Sequence, residues 1–301
     1  MNGIAGWMAY GKLPTQGDYV RIGANAALVA WVDAWSASVA TQLAGAEGGE
    51  AFGKAAPACV LTPGDGAWLL SVWWPSGDAV GRAFPLVVTA PPRALVPAGD
   101  DPILALDMAM RWGGRLIHGL GNLAELTPDR LAQFLATPGV PPPLPENPWP
   151  ALQRTTPPQF WQRQFGAADD ARRYAVATVV ERLQTQRPAI LRLRPTPEPL
   201  HLHWWVELLT RSTTRRPALV AMHAATTTST VGLSLVPRAL DDRSMAAALW
   251  PGLIEAAAGR QEAELLQAPA TTLPSPWSHI IDDSTTDMEQ CLRQVLAQTQ
   301  H

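Results

Sequence analysis

The chain opens with a stretch that joins an apolar run to a glycine- and charge-bearing loop: residues 6–21, GWMAYGKLPTQGDYVR. The apolar run predicts a short strand over roughly residues 4–10, and a loop and then an amphipathic helix follow it. Gly11 and Gly17 stand where we expect the backbone to take a positive φ or to lie close to another segment. A loop of this kind presents polar groups from a rigid base, which makes it the first candidate for a binding surface.

The candidate site residues lie in this opening loop and at one position of a later motif. They are Gly11, Lys12, Leu13, Pro14, Gly17, Asp18, Arg21 and Arg82. Arg82 begins a strand just after a Pro-Ser turn, where its guanidinium can clamp Asp18 or a backbone carbonyl, or contact a partner protein directly. We hypothesise that Asp18 and Arg82 are partners, while direct contact with another protein stays an alternative.

Apolar periodicity and capping residues predict the elements of the first half. A helix is expected over residues 24–44, and strands over 58–62, 67–74 and 84–90. Asp101 followed by Pro102 predicts the start of a second long helix, and Thr127 predicts the cap of a shorter one over 128–136. The order β-α-β-β-β-α-α predicts an α+β fold, an antiparallel sheet with packed helices, as in longin-like or profilin-like domains.

A change of composition predicts the domain boundary. Residues 138–158 are rich in proline, so we expect a linker there between residues 1–137 and a second domain over residues 159–301. Its stretch 138–145 is expected to be an extended polyproline segment, while Trp149 and Trp161 suggest that parts of the linker region pack on the protein. That second domain is expected to be of α/β or α+β type. Its predicted helices cover 168–186, 202–210, 244–249, 253–266 and 287–298, and its strands cover 189–193, 218–223 and 230–236.

Bulk properties narrow the class of protein. The chain has 301 residues, 47% of them hydrophobic and 16% charged, with a formal net charge of −3. This balance gives no basic surface for nucleic acid. Cys59 and Cys291 are the only cysteines, which indicates a reducing compartment. Without a signal-like start or an apolar run of bilayer length, the sequence predicts a soluble, cytoplasmic protein.

The sequence contains no coherent set of catalytic residues. Gly11-Lys12 resembles the end of a P-loop, but Leu13 stands where Mg²⁺ binding needs Ser or Thr. His201 and His203 lack an obvious third metal ligand. We therefore predict a protein that is not an enzyme and that needs no cofactor or metal. A hydrolase or phosphatase whose carboxylates are assembled only by the fold, and a structural subunit of a larger apparatus, stay as alternatives.

Two ordered motifs carry a resemblance to a known family. The first comprises residues 10–14 (YGKLP), 17–20 (GDYV) and 31–35 (WVDAW), and the second comprises residues 73–76 (WWPS) and 81–86 (GRAFPL). They resemble the TagF (ImpM) family of bacterial type VI secretion accessory proteins, with Tyr19 in place of the usual Phe and Val32 interrupting the usual Trp-Asp. The resemblance covers about the first half of the chain.

The resemblance carries expectations about function. It implies a cytoplasmic, post-translational negative regulator that binds the forkhead-associated scaffold protein of the secretion apparatus and keeps the apparatus from firing. Some relatives are fused to a PP2C-like phosphatase, but this chain lacks the Asp-Gly…Gly-Gly metal motif of that domain, so phosphatase activity is not implied. The resemblance leaves the oligomeric state open.

Overall fold

A computed structural model describes thirteen segments of the chain: residues 6–42, 52–53, 55–63, 68–91, 94–95, 101–139, 149–165, 191–196, 200–212, 219–224, 231–236, 279–280 and 282–299. The strands are β1 (Met8–Lys12), β2 (Tyr19–Ile22), β3 (Ala58–Pro63), β4 (Trp68–Trp74), β5 (Leu86–Thr89), β6 (Leu191–Thr196), β7 (Leu219–Ala224) and β8 (Val231–Val236). The helices are α1 (Ala26–Gln42), α2 (Pro102–Leu120), α3 (Pro128–Ala136), α4 (Trp149–Leu152), α5 (Pro157–Phe165), α6 (Leu200–Ser212) and α7 (Met288–Thr299).

The strands form one eight-stranded sheet in the order β2-β1-β5-β4-β3-β7-β8-β6. Every pair of neighbouring strands is antiparallel. The three strands of the C-terminal half extend the sheet of the N-terminal half, since β3 pairs with β7 and Val60 lies opposite Ala221. The predicted α+β fold with an antiparallel sheet is thus confirmed, while the boundary at 138–158 stays a prediction.

Helices cover both faces of the sheet. Successive side chains of a strand point to opposite faces, so each strand contributes to the packing on both sides. On one face α1 packs over Tyr10, Val60 and Trp73. The rings of Trp31 and Trp35 lie 5.5 and 5.1 Å from that of Trp73, which confirms that these α1 tryptophans pack on the sheet.

On the other face α2 approaches closely. A Cβ added at Gly113 of α2 would lie only 1.9 Å from the Cys59 sulfur of β3. No side chain fits between helix and sheet at that point. The central strand β4 is covered on both sides, in agreement with its nearly continuous apolar sequence.

The helix starts follow the capping residues that the sequence predicts. The Asp101 carboxylate accepts hydrogen bonds from the backbone N–H groups of Ile103 and Leu104, at 2.9 and 3.1 Å. Thr127 Oγ1 accepts one from the Arg130 N–H at 3.3 Å. These side chains satisfy donors that the first helical turn leaves without an intrahelical partner.

The C-terminal half packs on α2 through α6. Trp204 and Trp205 of α6 are fully buried with Phe160 and Trp161 of α5. Beside them, His203 Nε2 lies 2.8 Å from Asp107 Oδ1 of α2, and both side chains are buried. The described part of the C-terminal half therefore shares its core with the N-terminal half.

The structure differs from the sequence prediction at the end of the opening loop. Residues 19–22, predicted to lead straight into a helix, form strand β2, and α1 begins only at Ala26. Within the segment 138–158, the short helix α4 follows the proline-rich stretch 138–145, and Trp149 packs against the core. The helices predicted over 168–186, 244–249 and 253–266 lie outside the described residues.

Candidate functional site

The candidate site consists of two loops, residues 13–18 and residues 75–85, which we call the paired loops. The first joins β1 to β2 and the second joins β4 to β5. Strand β5 runs antiparallel to β1, with Tyr10 opposite Val87. The second loop therefore enters β5 beside the point where the first loop leaves β1.

The carboxylate of Asp78 is the centre of the site. Its Oδ2 atom lies 2.8 Å from Lys12 Nζ and 2.6 Å from Arg82 Nε. Its Oδ1 atom accepts hydrogen bonds from the backbone N–H groups of Val80 and Arg82, at 3.1 and 2.9 Å. The Lys12 and Asp78 side chains are buried, whereas 62% of the Arg82 side chain is exposed. Both carboxylate oxygens are thus occupied within the protein.

This environment fixes the charge on Asp78. Burial alone raises the pKa of a carboxyl group, because water no longer solvates the ionised form. Hydrogen bonds from the Lys12 ammonium and from the backbone and guanidinium of Arg82 outweigh that effect and hold the pKa of Asp78 well below its usual range. Asp78 is therefore ionised at neutral pH.

Three hydrogen bonds fix the second loop, one to the end of β1 at Lys12 and two to the first loop. Ser76 Oγ donates to the Lys12 carbonyl, the Ala79 N–H donates to the Gln16 carbonyl, and Arg82 Nη2 donates to the Gly17 carbonyl, each at 2.8 Å. Together with the buried ion pair they make the paired loops one rigid unit.

A cluster of three aromatic side chains extends from the sheet to the paired loops. The Tyr10 and Tyr19 rings stack with centroids 5.5 Å apart, and the Phe84 ring meets the Tyr19 ring edge-on at 4.9 Å. Lys12 Nζ lies 5.0 Å from the centre of the Tyr19 ring, so the ammonium also makes a cation–π contact. These contacts hold the Tyr19 ring in place although it lies at the surface.

Two apolar side chains of this unit face solvent. Tyr19, which follows the first loop, is 44% exposed, and Val80, in the second loop, is 71% exposed. Within the described part of the chain they are the only large hydrophobic side chains that are exposed. The exposed apolar side chains therefore lie at the paired loops, which also carry the exposed guanidinium of Arg82.

The structure places the predicted residues in different roles. Gly11 has φ 143°, and a Cβ there would lie 2.1 Å from the Pro85 carbonyl oxygen, so this position needs glycine as expected. Gly17 differs from the expectation: it is exposed, its φ is not positive, and a Cβ there would meet nothing within 4 Å. Leu13 is fully buried, and Pro14 is half-buried.

The charged candidate residues also differ in their contacts. Arg82 pairs with Asp78 and with the Gly17 carbonyl, which corrects the hypothesis of an Asp18–Arg82 pair. Asp18 instead accepts a hydrogen bond from the Tyr19 N–H at 2.7 Å. Arg21 is exposed on β2 and donates through Nε to the Ala24 carbonyl at 2.9 Å. Lys12 is buried, and its ammonium contacts the Asp78 carboxylate of the second loop.

Sequence reasoning missed Asp78 and the buried pair of Asp107 with His203. The available signal for Asp78 was its place in the turn that begins at Pro75, but a turn aspartate usually faces solvent.

Among the described residues, no group of three or more His, Cys, Asp or Glu side chains is arranged to hold a metal ion. Nor does any helix in those residues have the length and apolar character to cross a membrane.

Comparison with known proteins identifies the N-terminal region. Residues 8–136 match the family model described as TagF N-terminal domain, type VI secretion system-associated. Residues 8–136 therefore form a TagF N-terminal domain, a type of domain that is associated with type VI secretion. Both motifs, and both of the paired loops, lie inside the matched range.

One solved structure with sequence similarity is the crystal structure of PA0076 from Pseudomonas aeruginosa PAO1. It is 29% identical, and the match covers 46% of this chain and 64% of that chain, with a TM-score of 0.34. The match thus spans less than two thirds of PA0076. No curated protein matches the chain.

Proposed function

We propose that this protein is a post-translational negative regulator of type VI secretion that acts by binding and sequestering a forkhead-associated scaffold component of the apparatus. The TagF N-terminal domain supports a role in type VI secretion. The regulatory role and the partner follow from the family resemblance. The protein acts in the cytoplasm and carries out no covalent chemistry.

The observation that carries a binding function is the surface of the paired loops. Two exposed apolar side chains, Tyr19 and Val80, and the exposed guanidinium of Arg82 belong to a unit that is fixed by a buried ion pair. Exposed apolar groups on a rigid base are typical of protein–protein contact sites, because little conformational entropy is lost on binding. Tyr and Arg are also the residue types enriched among those that contribute most to binding energy.

The chemistry at the loops favours binding over catalysis. Each oxygen of Asp78 already accepts hydrogen bonds, and the Lys12 ammonium lies between that carboxylate and an aromatic ring. A general base needs a free lone pair within reach of a substrate proton. The Lys12–Asp78–Arg82 cluster therefore stabilises the loops.

A direct binding measurement tests the proposal. The purified full-length protein is immobilised, and the forkhead-associated scaffold protein of a type VI-competent bacterium is passed over it. We expect saturable binding, and we expect the same scaffold to be recovered when the protein is used as bait in cytosol of that bacterium. Failure of the scaffold to bind in both settings would contradict the proposal.

A further inference from the structure

We propose that Tyr19, Val80 and Arg82 form the centre of the docking surface, and that they bind a segment of the partner protein in which a carboxylate is flanked by apolar side chains. This inference rests on the proposed function, which it deepens by assigning the contact residues and the chemistry of the partner.

The guanidinium of Arg82 has donors available for a partner. An arginine carries five N–H groups. The contacts that Arg82 makes with the described residues use two of them, Nε to Asp78 and one N–H on Nη2 to the Gly17 carbonyl. The remaining N–H groups belong to a side chain that is 62% exposed. A carboxylate fits them, because the planar fork of arginine matches two carboxylate oxygens.

The charges of the Lys12–Asp78–Arg82 cluster also favour an anion. The Asp78 carboxylate is shared by two cations, Lys12 and Arg82, and Lys12 is the buried one. One positive charge is therefore uncompensated within this cluster, and it is displayed at the surface by Arg82. The Asp18 carboxylate, next in sequence to Gly17, is exposed and accepts a hydrogen bond from the Tyr19 N–H. Its negative charge disfavours a partner segment that carries many acidic residues.

The apolar side chains define the rest of the partner segment. Tyr19 directly follows the first loop and Val80 lies in the second. Hydrogen bonds and the ion pair link these segments, so the two side chains keep a fixed relation to the guanidinium. Apolar partner groups that cover them exclude water around Arg82, which strengthens the carboxylate contact. An acidic segment interspersed with apolar residues satisfies both requirements.

Val80 offers a matched pair of test variants. Its side chain is 71% exposed, while its backbone N–H makes the hydrogen bond to Asp78. Both Val80→Asp and Val80→Lys therefore leave the ion pair intact and remove the same apolar group, but they add opposite charges. We expect Val80→Asp to weaken binding of the purified scaffold at least about tenfold. We expect Val80→Lys to weaken it clearly less, and Tyr19→Ala to weaken it about tenfold as well.

The outcomes separate this inference from the proposed function. Equal binding by all variants, or a larger loss with Lys than with Asp, overturns the inference while the scaffold remains the partner. If the scaffold does not bind the wild-type protein, the proposed function fails. Photo-crosslinking in the type VI-competent bacterium then decides the inference, with a crosslinker at position 80 and a control at exposed Gln133 on α3.

The crosslinked peptide identifies the chemistry at position 80. A crosslink specific to position 80 that falls in an acidic, apolar segment of another protein supports the inference. A crosslink to a second copy of this chain, to lipid or to a basic segment, or the absence of any crosslink specific to position 80, overturns it.

Discussion

Lys12 Nζ lies 2.8 Å from Asp78 Oδ2, and the two side chains are buried although the residues are 66 positions apart in the chain. The pair joins the end of β1 to the loop between β4 and β5. Because each residue neutralises the other away from water, neither tolerates loss of its partner. The exposed side chains of the paired loops depend on this contact for their position.

Replacing Lys12 tests the importance of the pair for stability. We expect Lys12→Met to lower Tm by roughly 5–10 °C, because Asp78 is then left with Arg82 as its only cationic partner. The matched control is Arg21→Met, which removes the same charge from an exposed position and is expected to change Tm by less than about 2 °C. Thermal unfolding of both variants, followed by circular dichroism, checks this. Similar Tm changes in both would contradict it.

The depressed pKa of Asp78 predicts acid sensitivity. The carboxyl stays ionised in the folded state at a pH where the unfolded chain takes up a proton. Its contribution to the free energy of unfolding is therefore fully present above about pH 5 and is lost progressively as the pH falls below the unfolded pKa of about 4. Urea unfolding of wild type and Asp78→Asn should show a large difference at pH 7 that shrinks toward pH 3.

Glu207 changes the pH dependence of stability in the opposite direction, so its contribution has to be distinguished from that of Asp78. Burial raises its pKa, and the Arg211 side chain only partly offsets this, so its contribution favours folding at low pH and is lost as the pH rises through the raised pKa. The Asp78 measurement is therefore repeated in a Glu207→Gln background. A difference between wild type and Asp78→Asn that does not change with pH in either background would refute the assigned role of Asp78.

Gly11 and Gly17 are predicted to respond differently to the same substitution. An alanine at position 11 would bring its Cβ to 2.1 Å from the Pro85 carbonyl oxygen at φ 143°, so the backbone of β1 or β5 has to move. We expect Gly11→Ala to cost more than about 2 kcal/mol of unfolding free energy and Gly17→Ala to cost less than about 0.5 kcal/mol. Chemical denaturation measures both. Equal costs would show that the close approach at Gly11 is not a constraint.

The shared core predicts that the N-terminal region does not unfold independently. A fragment of residues 1–139 lacks β7, which pairs with β3, and α6, which packs on α2. We expect this fragment to aggregate or to lose cooperative unfolding, because the apolar surface of α2 is uncovered. Calorimetry and gel filtration against the full chain measure this. A soluble fragment with a Tm close to that of the full chain would instead support the domain boundary predicted at 138–158.

Local signals in the sequence predicted most of the fold. The caps Asp101 and Thr127 mark helix starts because they act on neighbouring N–H groups, and β4 stands out because both of its faces are buried. The strand Tyr19–Ile22 was not predicted, because four residues are too few to show a period against the helix that follows.

The site was predicted only in part, for a physical reason. Lys12 and Arg82 were recognised as candidates, but the choice of carboxylate depends on contacts between distant segments. Asp18 is close in sequence to Lys12, whereas the fold brings Asp78 to both cations. Burial of Lys12 likewise follows from tertiary packing, which the sequence does not show. Lys12 was a candidate for partner binding or for shaping the loop, and its contact with Asp78 fits the second of these roles.

Secretion measured in the living bacterium tests the proposed regulation most directly. The full-length protein and its Val80→Asp variant are overproduced at equal levels in a type VI-competent bacterium, and the release of a type VI effector into the medium is quantified. We predict that the wild-type protein suppresses release and that Val80→Asp suppresses it much less. Undiminished release with the wild-type protein, or equal suppression by both, would contradict regulation through the paired loops.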